Sequence, residues 1–300
     1  MKILITGALN YDENFKKLLV DMGYEIEYLQ NELQDVKKKY VDIEGIICNN
    51  FFLHNDIEEY KKLKFIQLTS AGLDRIPMEY IKKKGIKLYR AENVYSIPIA
   101  EWVIMRLLEV YKNLNFFIEN QKNKKWEKNR ELDELTGKEV AILGCGNIGE
   151  EIAKKLKAFD CRIIGADIRE INNKNFDEIK SIKELKSILK DKDIVILALP
   201  LTEKTKHLIN RESISWMKKN TILVNVARGS LIKEEHLIEK LKENYFKAVI
   251  LDVFEEEPLE EKRELWTEKK VLLSPHNSFI SLKNGERLKM IIENNLKSII

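Results

Sequence analysis

Two sets of residues in this chain have types and spacing suited to chemistry. The first is Gly144-Cys145-Gly146-Asn147-Ile148-Gly149, a G-x-G-x-x-G run. It follows the apolar segment Glu139–Leu143 and opens a stretch of helical spacing, with Ile152, Leu156 and Phe159 on one face. A second apolar run, Cys161–Ala166, ends at Asp167. Its distance from Gly149 is close to the roughly 20 residues of a dinucleotide-binding unit. Each glycine has its own task. Gly144 permits the tight turn, Gly146 lets the backbone approach a pyrophosphate, and Gly149 allows close helix–strand packing. Asn147 and Ile148 lie where a helix start presents free N–H groups and a positive dipole end. Asp167 is placed to accept hydrogen bonds from ribose hydroxyls, so NAD is the expected cofactor. A 2′-phosphate there would meet a like charge, and Arg169 must divide itself between Asp167 and Glu170 before it can soften that repulsion. The second set lies in Asn225–Leu231, Leu251–Leu259 and Leu273–Ser278, each just past an apolar run that reads as a strand. Ligands of open α/β sheets bind outside the carboxyl ends of strands, so Arg228, Asp252, Glu257 and His276 can converge near the cofactor.

The elements that must position these groups form two α/β series. Strands are expected at Lys2–Thr6, Glu25–Leu29, Gly45–Cys48, Phe65–Leu68 and Ile86–Tyr89, with helices at Tyr11–Met22, Glu32–Tyr40 and Met78–Lys84. Such alternation argues for a parallel sheet. A long apolar helix, Ile97–Phe117, then leads through a polar connector to six further strands: Glu139–Leu143, Cys161–Ala166, Ile194–Leu199, Thr221–Val226, Phe246–Leu251 and Val271–Leu273. The tail, Gly285–Ile300, is amphipathic and is expected to pack back on the first domain. The expectation is α/β with two doubly wound domains: a flavodoxin-like substrate domain, 1–96 plus 281–300, and a Rossmann NAD-binding domain, 97–280.

Composition narrows the classes. The net charge is only +3, from 52 basic and 49 acidic side chains that are interspersed, so no nucleic-acid groove is indicated. The densest basic stretch, Lys122–Lys128, reads as a polar connector. Ile97–Phe117 carries Glu101, Arg106, Glu109 and Lys112, which argues against a membrane span. The first residues read as a strand and helix rather than a signal peptide. Cys48, Cys145 and Cys161 have neither metal nor disulfide spacing, and no metal is expected; a reduced cytoplasm fits them. Cys145 lies near a helix start that could activate its thiol, but a small residue that simply fits is the favoured reading.

With these segments together, the chain resembles the D-isomer-specific 2-hydroxyacid dehydrogenases. The resemblance also runs through Ser70-Ala71-Gly72-Leu73-Asp74, Asn93–Glu101 and Pro200-Leu201-Thr202-Glu203-Lys204-Thr205, and so covers nearly the whole chain. It implies a catalytic set of arginine, glutamate and histidine, which the motifs place at Arg228, Glu257 and His276. It also implies that backbone N–H groups of the loop Ser70-Ala71-Gly72 hold the substrate carboxylate. The expected cofactor contacts are Gly144, Gly146, Asn147, Ile148, Gly149, Asp167, Pro200, Thr205, Ala227, Asp252 and Ser278. A homodimer is expected chiefly from the same resemblance, using the apolar helix and the stretch around Trp126.

Residue chemistry supports these roles independently. Reduction of a 2-keto acid needs a hydride on carbon, supplied by nicotinamide, and a proton on oxygen. Imidazole titrates near neutral pH, which suits His276 as acid/base. A carboxylate at Glu257 would hold the ring and favour its charged form. Arg228 can grip the substrate carboxylate in a fork that lysine cannot reproduce, and polarise the carbonyl. Glu257 stands in a run with Glu255 and Glu256, so only its place before Pro258 and the family match select it. His54, His207 and His236 lack a partner pattern and read as structural. The chain departs from the family at Ala198, where a histidine is common, and at Asn277, Ser278 and Phe279, where small residues are common. Arg75, Tyr95 and Trp102 lie near the substrate pocket; Arg75 could favour an anionic substituent, but reads better as a surface residue. The rival functions are a phosphoglycerate, glyoxylate/hydroxypyruvate or phosphite-specific relative, and an NAD(H)-sensing corepressor-like protein.

Overall fold

The computed structural model describes residues 1–36 and 39–299. The chain divides into two compact units, Met1–Tyr95 with Ser281–Ile300, and Ser96–Ile280.

The first unit is built on strands β1 (Lys2–Thr6), β2 (Glu25–Leu29), β3 (Gly45–Cys48), β4 (Phe65–Leu68) and β5 (Lys87–Tyr89). They pair in parallel in the order β2-β1-β3-β4-β5, the flavodoxin-like arrangement. Both sheet faces are covered, as a parallel sheet requires. Leu4 belongs to one apolar cluster with Ile46 and Ile66, while Ile3 and Ile5 belong to another with Phe15 and Leu19. Helix α1 (Glu13–Asp21) starts where the Asp12 side chain accepts from the Phe15 N–H at 2.8 Å. Helix α2 (Met78–Lys84) ends at Gly85 in the left-handed region, φ 68°. The expected helix Glu32–Tyr40 does not form over its described residues; Lys37 and Lys38 lie outside them. The Glu32 carboxylate is instead buried and accepts from Thr6 Oγ1 and from the N–H groups of Asn49 and Asn50, at 2.5–2.7 Å. A side chain held by three donors on other segments anchors a loop, and overrides local helix propensity.

In the second unit the expected single helix Ile97–Phe117 is two, α3 (Ser96–Tyr111) and α4 (Leu114–Lys122). Asn113 between them has φ 47°, a left-handed conformation that asparagine tolerates and that ends a helix. Seven parallel strands follow: β6 (Glu139–Leu143), β7 (Arg162–Asp167), β8 (Glu178–Ser181), β9 (Ile194–Leu197), β10 (Ile222–Asn225), β11 (Ala248–Leu251) and β12 (Val271–Leu273). Their order, β12-β11-β10-β9-β6-β7-β8, is the Rossmann order extended by one strand. The sequence pattern missed β8, because this edge strand, Glu-Ile-Lys-Ser, has no buried residue. Helices α5 (Asn147–Lys157), α6 (Leu185–Leu189), α7 (Arg211–Ser215) and α8 (Glu234–Lys242) connect the strands, and α5 packs on α3. The tail helix α9 (Asn284–Lys297) returns to the first unit, where Leu288, Ile292 and Leu296 join Ile3 and Ile5 in one core and Tyr24 Oη donates to the Leu296 carbonyl at 3.0 Å. Among the described residues no helix is long and apolar enough to cross a membrane, and no group of three or more metal-ligating side chains occurs.

Candidate active site

The glycine loop joins β6 to α5, and its three glycines meet different surroundings. Gly144 has φ 101°, and a Cβ there would lie 2.6 Å from the backbone of Ala198 and Leu199. A Cβ on Gly149 would lie 1.9 Å from the Gly144 carbonyl oxygen. A Cβ on Gly146 would meet nothing within 4 Å, so this backbone faces open space at the start of α5. Turn, open approach and close packing therefore fall on three separate glycines, and the loop fits a pyrophosphate. Cys145 is a packing residue. Its sulfur would lie 2.5 Å from a Cβ on Gly165, and burial, assisted by Asp167, pushes its thiol up to about 12. A thiol so raised is not an activated nucleophile at neutral pH.

Asp167 ends β7. Its Oδ2 accepts from the Cys145 N–H at 3.1 Å and its Oδ1 from the Arg169 N–H at 3.0 Å. The Arg169 guanidinium straddles the same carboxylate, Nε to Oδ1 at 3.0 Å and Nη2 to Oδ2 at 3.1 Å. Burial raises the Asp167 carboxyl, but the Arg169 side chain and the two N–H donors outweigh it and hold the group below the usual carboxylate range. A cleft of about 530 Å³ opens at this strand end, lined in part by Asp167, Arg169, Lys180 and Ser181. At the end of β9, Thr205 Oγ1 donates to the Pro200 carbonyl at 2.8 Å and accepts from the Thr202 N–H at 2.8 Å, which closes the Pro200–Thr205 turn.

The remaining residues stand beyond β10, β11 and β12. Asn225 shapes the first loop: its Oδ1 accepts from the Ala227 N–H at 3.1 Å and its Nδ2 donates to the Arg228 carbonyl at 2.9 Å. Arg228 Nη1 donates to the Ala227 carbonyl at 2.7 Å. Past β11, Glu257 Oε1 accepts from the Phe254 N–H at 3.1 Å, and its Oε2 lies 2.8 Å from His276 Nδ1. The Glu257–Pro258 peptide bond is cis. His276 has φ 50°, a left-handed conformation uncommon outside glycine and held here by its own N–H bonds to the carbonyls of Asp252 and Ser274. The His276 and Glu257 side chains are each about one-third exposed, at 33% and 37%, so the pair is ordered yet open to solvent. Phe279 meets the imidazole edge-on with ring centroids 5.9 Å apart.

Asp252, expected as a cofactor contact, also has a task within the protein. It is 1% exposed, and its carboxylate accepts from Ser274 Oγ and from the N–H groups of Asn277 and Ser278. Its oxygens thus organise the loop that carries His276, with Ser278 buried beside them. Sequence reasoning also missed a second histidine–carboxylate pair. His207 Nε2 lies 2.6 Å from Glu255 Oε1, and no local spacing links them. His236 instead accepts from the Arg211 N–H through Nδ1 at 3.2 Å, and His54 is exposed.

In the first unit, Ser70-Ala71-Gly72 follows β4. The Ser70 carbonyl accepts from the Ala91 N–H at 3.0 Å, and Tyr95 Oη donates to the Thr69 carbonyl. Arg75 Nη1 donates to Asn50 Oδ1 at 3.0 Å, so it is tied to the loop after β3 rather than being a plain surface residue.

Residues 104–278 match the model of the D-isomer specific 2-hydroxyacid dehydrogenase, NAD binding domain, over more than half of the chain. The chain belongs to the D-isomer specific 2-hydroxyacid dehydrogenase family. This is a family of NAD-dependent oxidoreductases, and NAD is the cofactor that its glycine loop and Asp167 fit. The chain is 38% identical over 223 residues to a hydroxypyruvate reductase of Thermotoga maritima, covering 73% of this chain and 72% of that protein. It is 34% identical to a D-3-phosphoglycerate dehydrogenase of Methanocaldococcus jannaschii over all of this chain, which spans 57% of that relative's length. Among solved structures, a D-lactate dehydrogenase from Aquifex aeolicus complexed with NAD and lactic acid matches at a TM-score of 0.80 and 25% identity, covering 99% of this chain and 95% of the other.

Proposed function

We propose that this dehydrogenase-family member interconverts a small 2-keto acid and its D-2-hydroxy acid with NAD(H), using His276 as acid/base, Glu257 as its partner and Arg228 as the substrate clamp. The observation that carries the reading is the 2.8 Å His276–Glu257 hydrogen bond, in a pair that is both rigidly held and solvent-accessible. Bound NADH supplies the hydride for the carbonyl carbon. The protein's own groups do the rest. Glu257 engages Nδ1, which leaves Nε2 as the atom that delivers a proton to the carbonyl oxygen in reduction and removes it in oxidation. Arg228 pairs with the substrate carboxylate and draws electron density from the carbonyl. The N–H groups of Ser70, Ala71 and Gly72 bind the substrate carboxylate in this reading, as the family resemblance implies, and the first unit is the substrate domain. Gly144, Gly146, Asn147, Ile148 and Gly149 hold the pyrophosphate and Asp167 the ribose hydroxyls. Pro200, Thr205, Ala227 and Ser278 complete the cofactor cleft, and Asp252 acts through the His276 loop.

The hydroxypyruvate reductase named above makes hydroxypyruvate the first substrate to try, with glyoxylate, the substrate named for a 32% identical reductase of Thermofilum pendens, beside it. Loss of NADH absorbance with a panel of 2-keto acids tests the reading. NADH binding without oxidation by any of them would make the chain a cofactor sensor. The enzyme works in the cytoplasm as a homodimer in this reading. Helix α4 has no buried residue, and Met105, Leu114, Phe117, Ile118 and Trp126 are all exposed on the same unit, which offers apolar side chains for a second copy to cover. A monomer mass by light scattering at micromolar concentration would overturn the dimer.

A further inference from the structure

We infer that His207, Glu255, Glu234 and Arg263 form a positioning frame that fixes Glu257 relative to Arg228; the inference rests on the roles proposed above for those two residues. The frame begins with a backbone contact. A Cβ on Gly229 would lie 1.8 Å from the Phe254 carbonyl carbon, so the loop carrying Arg228 and the turn carrying Glu257 touch main chain to main chain. Side chains then bolt the turn on two sides. The Glu255 N–H donates to Glu234 Oε1 at 2.7 Å, and Arg263 Nη2 donates to the other Glu234 oxygen. Glu234 is only 3% exposed, so its charge is tolerable there only because both oxygens are engaged. Arg263 also reaches Glu256, at 3.5 Å. On the opposite side, the Glu255 carboxylate meets His207 Nε2 at 2.6 Å, and the His207 N–H donates to the Ser230 carbonyl at 2.8 Å. Ser230 lies two residues past Arg228.

The chain of contacts therefore runs from Ser230 through His207 and Glu255 to the turn that holds Glu257, and from Glu257 to His276. His207 has φ 52°, so it too is held in the left-handed region, as His276 is. Of the four histidines, the two in this conformation are the two that meet a carboxylate. None of the four frame residues needs to touch substrate. Their effect is on where the Glu257 carboxylate sits, and a displacement of about 1 Å from a remote change can cost 10²-fold in rate.

The test uses His207→Ala, His207→Gln, which keeps a hydrogen-bonding nitrogen near the Nε2 position, and Glu255→Ala, which breaks the same pair from the other side. Two readouts are followed. One is kcat and KM with the best 2-keto acid. The other is the hydrogen-bonded Nδ1–H signal of His276 in ¹⁵N-labelled enzyme, assigned by its loss in His276→Gln. We expect His207→Ala and Glu255→Ala to lower kcat about tenfold with KM for NADH nearly unchanged, and to shift or broaden the His276 signal; His207→Gln restores both. If either alanine variant is folded, with altered thermal stability but wild-type kcat and an unmoved His276 signal, the frame is merely structural and the inference fails. If none of the 2-keto acids supports oxidation of NADH by the wild-type enzyme, the proposed function fails, while the His276 signal still decides the frame.

Discussion

At two places in the second sheet a carboxylate beyond a strand end is held by a basic side chain, and the two arrangements are opposite. At the end of β7, Asp167 is 8% exposed and its arginine partner is 62% exposed. At the ends of β11 and β12, Glu257 and His276 are exposed almost equally. The first arrangement locks the acceptor and leaves the cation free to move aside, which suits a group that binds hydroxyls and never reacts. The second leaves both partners open, which suits a group that must trade a proton with a substrate and be restored. The difference predicts that changes at β11–β12 act on turnover, and changes at β7 act on cofactor.

The largest effect should come from His276→Ala, which is expected to lower kcat by about 10²–10⁴ while NADH affinity, read by protein fluorescence, stays nearly intact. A variant with near-wild-type turnover would remove His276 from the chemistry. Next is cofactor discrimination. A 2′-phosphate beside Asp167 meets a like charge at a cost of several kcal/mol, so kcat/KM with NADH should exceed that with NADPH by about 10² or more. Equal values would mean that the Arg169 guanidinium cancels Asp167 toward the phosphate.

Arg228→Lys keeps the charge but loses the fork. It should cost about ten- to hundredfold in kcat/KM for the keto acid, through both terms, since a hydrogen bond to a charged group is worth about 1.5–3 kcal/mol. An effect confined to the KM for NADH would move Arg228 to the dinucleotide site. Glu257→Gln keeps a hydrogen-bonding atom at Nδ1 and should lower kcat about tenfold with NADH affinity unchanged. A Gln variant that loses NADH affinity instead would erase the contrast between the two strand ends.

The smallest effect concerns pH at the β7 end. Asp167 is held below the usual carboxylate range, so it stays ionised across ordinary assay conditions and the KM for NADH should be flat above about pH 5. A depressed carboxyl contributes stability that is present above its unfolded value, about 3.9, and is lost as pH falls through its folded value. In Arg169→Ala the burial that raises Asp167 is less opposed, so the KM for NADH should begin to rise at a higher pH than in the wild type. Identical profiles would show that the two backbone N–H donors, of Cys145 and of residue 169, set this group without the guanidinium.

The glycine loop was legible in the sequence because it is local: strand, turn, helix and acid arrive in one run, and each glycine meets the surroundings its position demands. The apolar strands were legible for a related reason. Parallel strands covered on both faces are continuous hydrophobic runs, whereas the polar edge strand β8 carries no such pattern. The helix break at Asn113 and the loop at Glu32 were not legible, since one depends on a single backbone dihedral and the other on donors from β1 and the β3 end.

The sequence by itself determined the fold class, through alternation and hydrophobic runs, and its ordered motifs singled out Arg228, Glu257 and His276 as the candidates for chemistry. Only the tertiary structure decided how those residues are held. Asp252 lies 22 residues or more from the loop groups it organises, and His207 meets Glu255 across 48 residues. Such contacts are made by strand order, which brings the ends of β10, β11 and β12 side by side. The identity of a side chain is written locally, but its partner is chosen by the sheet.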